Sequence, residues 1–247
     1  MPSLLVINPN SSTSVSALLH GHAQRIAGEG TRVHTVTARF GAPYIACEAS
    51  YAVAGHAALD IWAASTASGQ VVFDSVLLAC FGDPGLLALR EASCAPVTGL
   101  AEAAFIEAAK IGPFAIVTGG SRWKPMLERL VRSLGFDAQL AGIHTVEATG
   151  AELARDPTAA QRILRTACRS AAGHFHPRAI ILGGAGLAGM ARLVQPAVPL
   201  PVIDSVEAGV RHAVAAPAAP VAPGRKFEFA WHNVSPELAS LGVKGCG

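Results

Sequence analysis

Short runs of Val, Ile and Leu recur along the chain, and between them lie longer stretches whose apolar residues fall three and four apart. The runs LLVIN (4–8), RVHTVTA (32–38), SVLLAC (75–80), APV (95–97), FAIVTG (114–119), AQLAGIH (138–144), RAIILGG (178–184) and LPVID (200–204) read as strands. Thr13 to Arg25, Glu48 to Ser68, Lys124 to Leu134 and Thr158 to Ala172 read as helices. Strands that are apolar on both faces and alternate with helices predict parallel sheets covered on both sides, so the fold class is α/β.

The order of these pieces repeats. LLVINPNSSTSVSALL (4–19) has a counterpart in FAIVTGGSRWKPML (114–127), VLLACFGDPGL (76–86) in IILGGAGLAGM (180–190), and PVTGLAEAA (96–104) in PVIDSVEAG (201–209). The offsets are 110, 104 and 105 residues, which predicts two copies of one α/β unit. The expected division is residues 1–97 plus 210–247 for the first domain and 98–209 for the second, with the strand ends of both meeting across a cleft. AAPAAPVAPG (215–224) reads as an extended connector, and SPELAS (235–240) as a tail helix capped by Ser235 that packs back on the first unit.

Composition removes several classes of function. The 247 residues suffice for two domains, and half of them are hydrophobic. Lys and Arg total 19 against 17 Asp and Glu, with no basic cluster interleaved with aromatics, so neither nucleic acid nor an anionic membrane is an expected partner. The start lacks the basic and apolar regions of a signal peptide, and no apolar stretch is long enough to span a bilayer. A cytoplasmic protein is expected. The cysteines, Cys47, Cys80, Cys94, Cys168 and Cys246, form no CxxC pair and are odd in number, which fits free thiols better than a disulfide framework.

Candidate chemistry gathers where strands give way to turns. Cys80 closes a buried run and is followed at once by a glycine-containing turn, where turn N–H groups or a helix N-terminus could bring a thiol towards neutrality. Asn8 and Asn10 flank Pro9 at the end of the first strand, as substrate contacts or as Asx-turn residues. Thr118, Gly119 and Gly120 hold the equivalent turn of the second unit, where glycine lets backbone approach a ligand. Asp83 is expected to cap a helix beginning near Pro84. GAGLAG (184–189), with Asp204 twenty residues on, fits a dinucleotide fingerprint, but it is also one half of the internal repeat, whose other half, CFGDPG, lacks that pattern. His174 and His176 have no acidic or cysteine neighbours, so no metal site is expected; His56 reads as a core histidine, and Cys47, Cys94 and Cys168 as packing residues.

INPNSS at the first strand's end, ACFGDPGL (79–86), FAIVTGGSRWKPML (114–127) and IILGGAGLAGMA (180–191) together resemble the aspartate/glutamate racemase superfamily, nearest its hydantoin and allantoin racemase branch. The resemblance spans almost the whole chain. It implies two pseudo-symmetric domains, no cofactor, and two cysteines facing the stereocentre of a small-molecule substrate from opposite sides. Cys80 matches the first of these. Where the second belongs, in an LG-C-AG context, this chain has Gly184.

Racemisation beside a carbonyl needs a base on one face and an acid on the other, and glycine carries no proton. The expected function is cofactor-independent proton transfer on a hydantoin- or allantoin-like compound. Cys80 is the catalytic residue, with Asn8, Asn10, Phe81, Thr118, Gly119, Gly184 and Ala185 at the substrate. A homo-oligomer is expected. Two alternatives stay open: a single-cysteine lyase, decarboxylase or isomerase, as arylmalonate decarboxylase resembles with its cysteine in the other half, and a binding protein without turnover.

Overall fold

Pairing of the predicted strands gives two sheets rather than one. The computed structural model describes residues 1–67, 72–216 and 227–242. The first sheet comes from β1 (Ser3–Asn8), α1 (Thr13–Ala27), β2 (Arg32–Thr37), α2 (Glu48–Thr66), β3 (Ser75–Leu78), α3 (Leu86–Ala92) and β4 (Val97–Gly99). Helix α4 (Leu100–Ala109) leads to β5 (Phe114–Gly119), α5 (Trp123–Ser133), β6 (Leu140–Val146), α6 (Gly150–Arg155), α7 (Pro157–Phe175), β7 (Ala179–Gly183), α8 (Met190–Val194) and β8 (Val202–Asp204), followed by α9 (Ser205–Ala215) and α10 (Pro236–Ala239).

The strand orders are β2-β1-β3-β4 and β6-β5-β7-β8, and every pairing is parallel. The repeat therefore holds at the level of register. Leu78 pairs with Gly99 in the first sheet, and their repeat counterparts Leu182 and Asp204 pair in the second.

Each central strand is apolar on both faces because each sheet is buried on both. Leu4 and Val6 of β1, Leu77 of β3, Phe114 and Ile116 of β5 and Ile181 of β7 share one core with α1, α4, α5 and α9. The alternate residues face outward: Leu5, Ile7 and Leu78 pack under α2 and α3, and Ala115, Val117, Ile180 and Leu182 pack under α7 and α8. This shared core holds the carboxyl ends of both sheets towards one another.

Several boundaries differ from the sequence reading, among them the end of β3 at Leu78, which leaves Cys80 in the turn beyond the strand. Strand β4 begins at Val97, because Pro96 contributes only its carbonyl, to the N–H of Val76. Strand β6 begins at Leu140, since Asp137–Gln139 wind into a 3₁₀ turn first. The tail behaves as expected where it is described: Ser235 accepts from the Leu238 N–H, Leu238 is buried against the α2 side of the first sheet, and Glu237 joins Asp60 on the Arg39 guanidinium. Residues 217–224 of the connector and Cys246 lie outside the described residues. Among the described residues no helix is long and apolar enough to cross a membrane.

Candidate active site

In a parallel sheet the turns beyond the strands' carboxyl ends gather on one edge, where ligands bind in open α/β folds. Here two such edges share a single cavity of about 540 Å³. The turn after β1 contributes Asn10 and Ser12, and α1 contributes Ser14, Val15 and Leu18. The β3 turn adds Ala79, Cys80 and Phe81, the β5 end Thr118 and Gly119, and the β7 turn Gly183 to Leu187. Pro43, Tyr44, Ile45, Trp123, Gly150 and Arg155 complete the wall, and of the lining residues Arg155 alone carries a permanent charge.

Cys80 and Gly184 thus lie on turns from opposite sheets, as the repeat requires. Cys80 is 7% exposed, and its neighbours fix it tightly. Phe81 meets Phe105 edge to face at 6.0 Å and lies against Gly183, where any Cβ would overlap its ring. Gly82 has φ +142°, and a Cβ there would collide with the Trp123 ring; its carbonyl accepts from the Tyr51 hydroxyl at 2.7 Å. The N–H groups of Phe81 and Gly82 donate to no protein acceptor among the described residues.

Electrostatics at Cys80 run opposite to the expectation of a lowered pKa. Burial pushes the thiol up, and the Asp83 carboxylate adds to the shift, so Cys80 is protonated at neutral pH. Asp83 itself is fully enclosed. Burial pushes it up to about 7 against the pull of two backbone N–H groups. Those donors are Ala101 and Glu102, at 3.0 and 2.9 Å, so Asp83 caps α4 and not the helix that follows it in sequence.

The other sequence candidates divide. Asn10 lines the cavity; its Oδ1 accepts from Asn8 Nδ2 and from the Ser12 N–H, leaving its own Nδ2 without a protein acceptor among the described residues. Asn8 does not line the cavity. Its amide is wholly buried and spent on Asn10, the Ser12 carbonyl and Ser16, so it shapes the turn from behind. Thr118 lines the cavity but donates its hydroxyl to the Gly183 carbonyl at 2.7 Å, tying β5 to β7. Gly119 admits the 148–150 backbone close behind it. The Gly184 N–H, a candidate donor to substrate, is engaged by Ser205 Oγ at 3.2 Å, and Ala185 remains on the wall.

The residues set aside also find places. Asp204 accepts from the N–H groups of Gly189, Val206 and Glu207, so its carboxylate is committed to the β7 turn and α9, not to a ribose. His56 is an exposed residue stacked edge-on with Phe40, a correction to its reading as a core histidine. His176 ends α7 in the left-handed region, and among the described residues no cluster could hold a metal ion.

Sequence reasoning missed Tyr44, whose hydroxyl accepts from the Gly150 N–H at 3.1 Å and donates to the Gly119 carbonyl at 3.3 Å, closing the cavity from the first half onto the second. It also missed Trp123, Arg155 and Leu187 on the walls. The Glu48–Arg129 ion pair and the Tyr51–Trp123 edge contact at 6.5 Å fasten the same side.

Two like sheets whose strand ends share one cavity match the fold of solved racemases. The chain belongs to the Asp/Glu/Hydantoin racemase family, whose family model matches residues 4–213. It is 33% identical over 209 residues to the hydantoin racemase of Paenarthrobacter aurescens, covering 84% of this chain and 88% of that protein. The structure of the allantoin racemase from Klebsiella pneumoniae is similar with a TM-score of 0.85 at 30% identity, over 99% of this chain and 100% of that one. Arylmalonate decarboxylase shares the fold, with a TM-score of 0.56 at 18% identity over 91% of this chain and 98% of that one.

Thiol reactivity provides a first check on the site. Cys47, half-buried at the start of α2, is held below the usual thiol range by the Ser50 hydroxyl, whereas Cys80 and Cys168 are buried and raised, Cys168 to about 12. Limiting iodoacetamide at pH 7.5, mapped by mass spectrometry, is expected to label Cys47 well before Cys80 or Cys168. Early labelling of Cys80 would show that its turn is open to solvent.

Proposed function

We propose that this enzyme moves the proton on a carbon next to a carbonyl in a hydantoin- or allantoin-like ring, with Cys80 as the proton carrier. The observation that carries this reading is the single enclosed thiol at the end of β3, facing a cavity shared with the β7 turn that bears Gly184. The Cys80 thiolate takes the C–H proton, the C–H electron pair moves into the ring, and negative charge gathers on the carbonyl oxygen. The unspent N–H group of Phe81 and the Asn10 amide, both on the cavity wall, are donors suited to that charge. Return of the proton from Cys80 restores the starting configuration; delivery by water on the Gly184 side inverts it.

The neutral resting thiol suits this role in one respect: it holds a proton ready to give back, and its rarer thiolate is a strong base when formed. Gly184 supports one-sided chemistry as the second reading. Besides Cys80, the ionisable lining residues are Tyr44, whose hydroxyl is already bonded to Gly119 and Gly150, and Arg155. Proton exchange with retained configuration is then faster than inversion. The domains proposed for this arrangement are residues 1–97 plus 210–247 and residues 98–209; the second sheet lies wholly within the latter, whereas the cut after Val97 falls inside β4 of the first sheet.

The test is to incubate an enantiopure 5-substituted hydantoin, and separately allantoin, with the enzyme in D₂O while following deuterium uptake by NMR and optical rotation together. Catalysed uptake that outpaces loss of rotation is the expected result. Binding of these compounds with no uptake above the uncatalysed rate would overturn the proposal in favour of a binding protein.

A further inference from the structure

The two halves of the repeat solve one structural problem with a carboxylate placed on opposite sides of the same gap. In the second sheet Asp204, at the end of β8, caps α9 through the N–H groups of Val206 and Glu207 and holds the β7 turn through the Gly189 N–H at 2.6 Å. Its counterpart in the first sheet is Gly99, paired in the same register and standing as N-cap of α4. Glycine has no carboxylate to offer. The missing group arrives instead from the β3 turn: Asp83, at the position of Leu187 in the repeat, reaches the α4 N-terminus and fills the space that a side chain at 99 would occupy. Any Cβ at Gly99 would overlap the Asp83 carboxylate.

The exchange has a consequence for Cys80. In the second sheet the charge belongs to the strand, and the turn is apolar at Leu187. In the first it belongs to the turn that carries the thiol, whose Cys80 carbonyl accepts from the Asp83 N–H at 3.0 Å. Asp83 holds a left-handed conformation, φ +53°, that its two bonds to α4 keep in place.

We infer that Asp83 is the positioning residue of the active site, bridging the Cys80 turn to the N-terminus of α4 and setting the charge beside the thiol. The inference rests on the reading of Cys80 as proton carrier, but its first test needs no substrate. The groups that face this pair are Arg90 from α3, Glu102 from α4, and Tyr44 and Tyr51 from the segment leading into α2 and from α2 itself. With those unchanged, Asp83→Asn removes the carboxylate's charge and one of its two bonds to α4, because the amide NH2 cannot accept from a backbone N–H, while the remaining oxygen keeps the other bond. The pH midpoint for alkylation of Cys80, mapped by mass spectrometry, is expected to fall by about one unit. An unmoved midpoint in the folded variant would overturn the electrostatic part of the inference.

A repeat-swapping cycle tests the positioning part. Asp83→Gly tolerates the positive φ but breaks the bridge, and is expected to lower kcat for deuterium uptake about tenfold or more with little change in KM. Gly99→Asp alone collides with Asp83 and is expected to be damaging. In the double variant Asp83→Gly/Gly99→Asp the carboxylate returns from the strand side, as in the second sheet, and kcat is expected to recover to within about threefold of the starting enzyme. A double variant no better than Asp83→Gly would overturn the bridging role. If the unaltered enzyme exchanges no proton on any hydantoin, the functional reading fails, while the Cys80 titration still decides the inference.

Discussion

Cys80→Ser is expected to lower deuterium uptake into a hydantoin by about 10²- to 10⁴-fold, the range typical for loss of a positioned proton-transfer group. Serine fits the same enclosed space and keeps the β3 turn, so the loss reports chemistry and not collapse. Its hydroxyl ionises far less readily than a thiol in the same surroundings. The raised thiol gives the sign of the pH dependence: thiolate becomes more abundant as pH rises, so uptake by the unaltered enzyme should climb from pH 7 upward, while Cys80→Ser should stay flat at its residual level. NMR rates across pH 7 to 9, with circular dichroism to confirm folding, make the measurement. A serine variant within threefold of the unaltered rate would remove Cys80 from the reaction.

The residues that made this site legible are those whose local pattern is sufficient. Continuous apolar runs located the central strands, and the internal repeat placed Cys80 and Gly184 on matching turns before any pairing was known. Register then followed, because Leu78 with Gly99 and Leu182 with Asp204 are fixed by the same strand-to-strand geometry. What could not be read locally depends on contacts far apart in sequence. Asp83 looked like the cap of the next helix, since nothing nearby says that Gly99, paired through β4, leaves an opening for it. Asn8 and Asn10 are equivalent in sequence and both are buried; only the fold of the turn keeps Asn8 behind the cavity and sets Asn10 on its wall.

The direction of the Cys80 shift was misread for a similar reason. A turn after a strand suggests exposed N–H donors that lower a thiol's pKa, but desolvation by burial is a property of the closed cleft, whose walls come from distant parts of the chain. Tyr44 lies in a segment without strand or helix periodicity, and its role exists only because Gly119 and Gly150 come to it from the other half.

Gly184→Cys is the substitution expected to change the outcome of the reaction and not merely its rate. A thiol on the β7 turn would supply the second proton-transfer group, for which a gain of about 100-fold in racemisation is reasonable if the geometry is right. The backbone resists it. Gly184 has φ +150°, a conformation that side chains rarely adopt, and a Cβ there would meet Leu187 Cγ at 3.3 Å and Cδ1 at 3.4 Å. Strain of about 1–3 kcal/mol is therefore expected, enough to tilt the new thiol or lower stability. Leu187→Ala removes both atoms in the way. The single variant should then show a modest rise in racemisation, and Gly184→Cys/Leu187→Ala the larger one, at a cost in thermal stability from the lost leucine. Optical rotation and deuterium uptake followed together read the result: uptake with retained configuration in the unaltered enzyme should become uptake with loss of rotation in the double variant. If both variants fold and keep exchanging deuterium with configuration retained, the cavity is built for transfer from the Cys80 side alone, and the glycine belongs to that design.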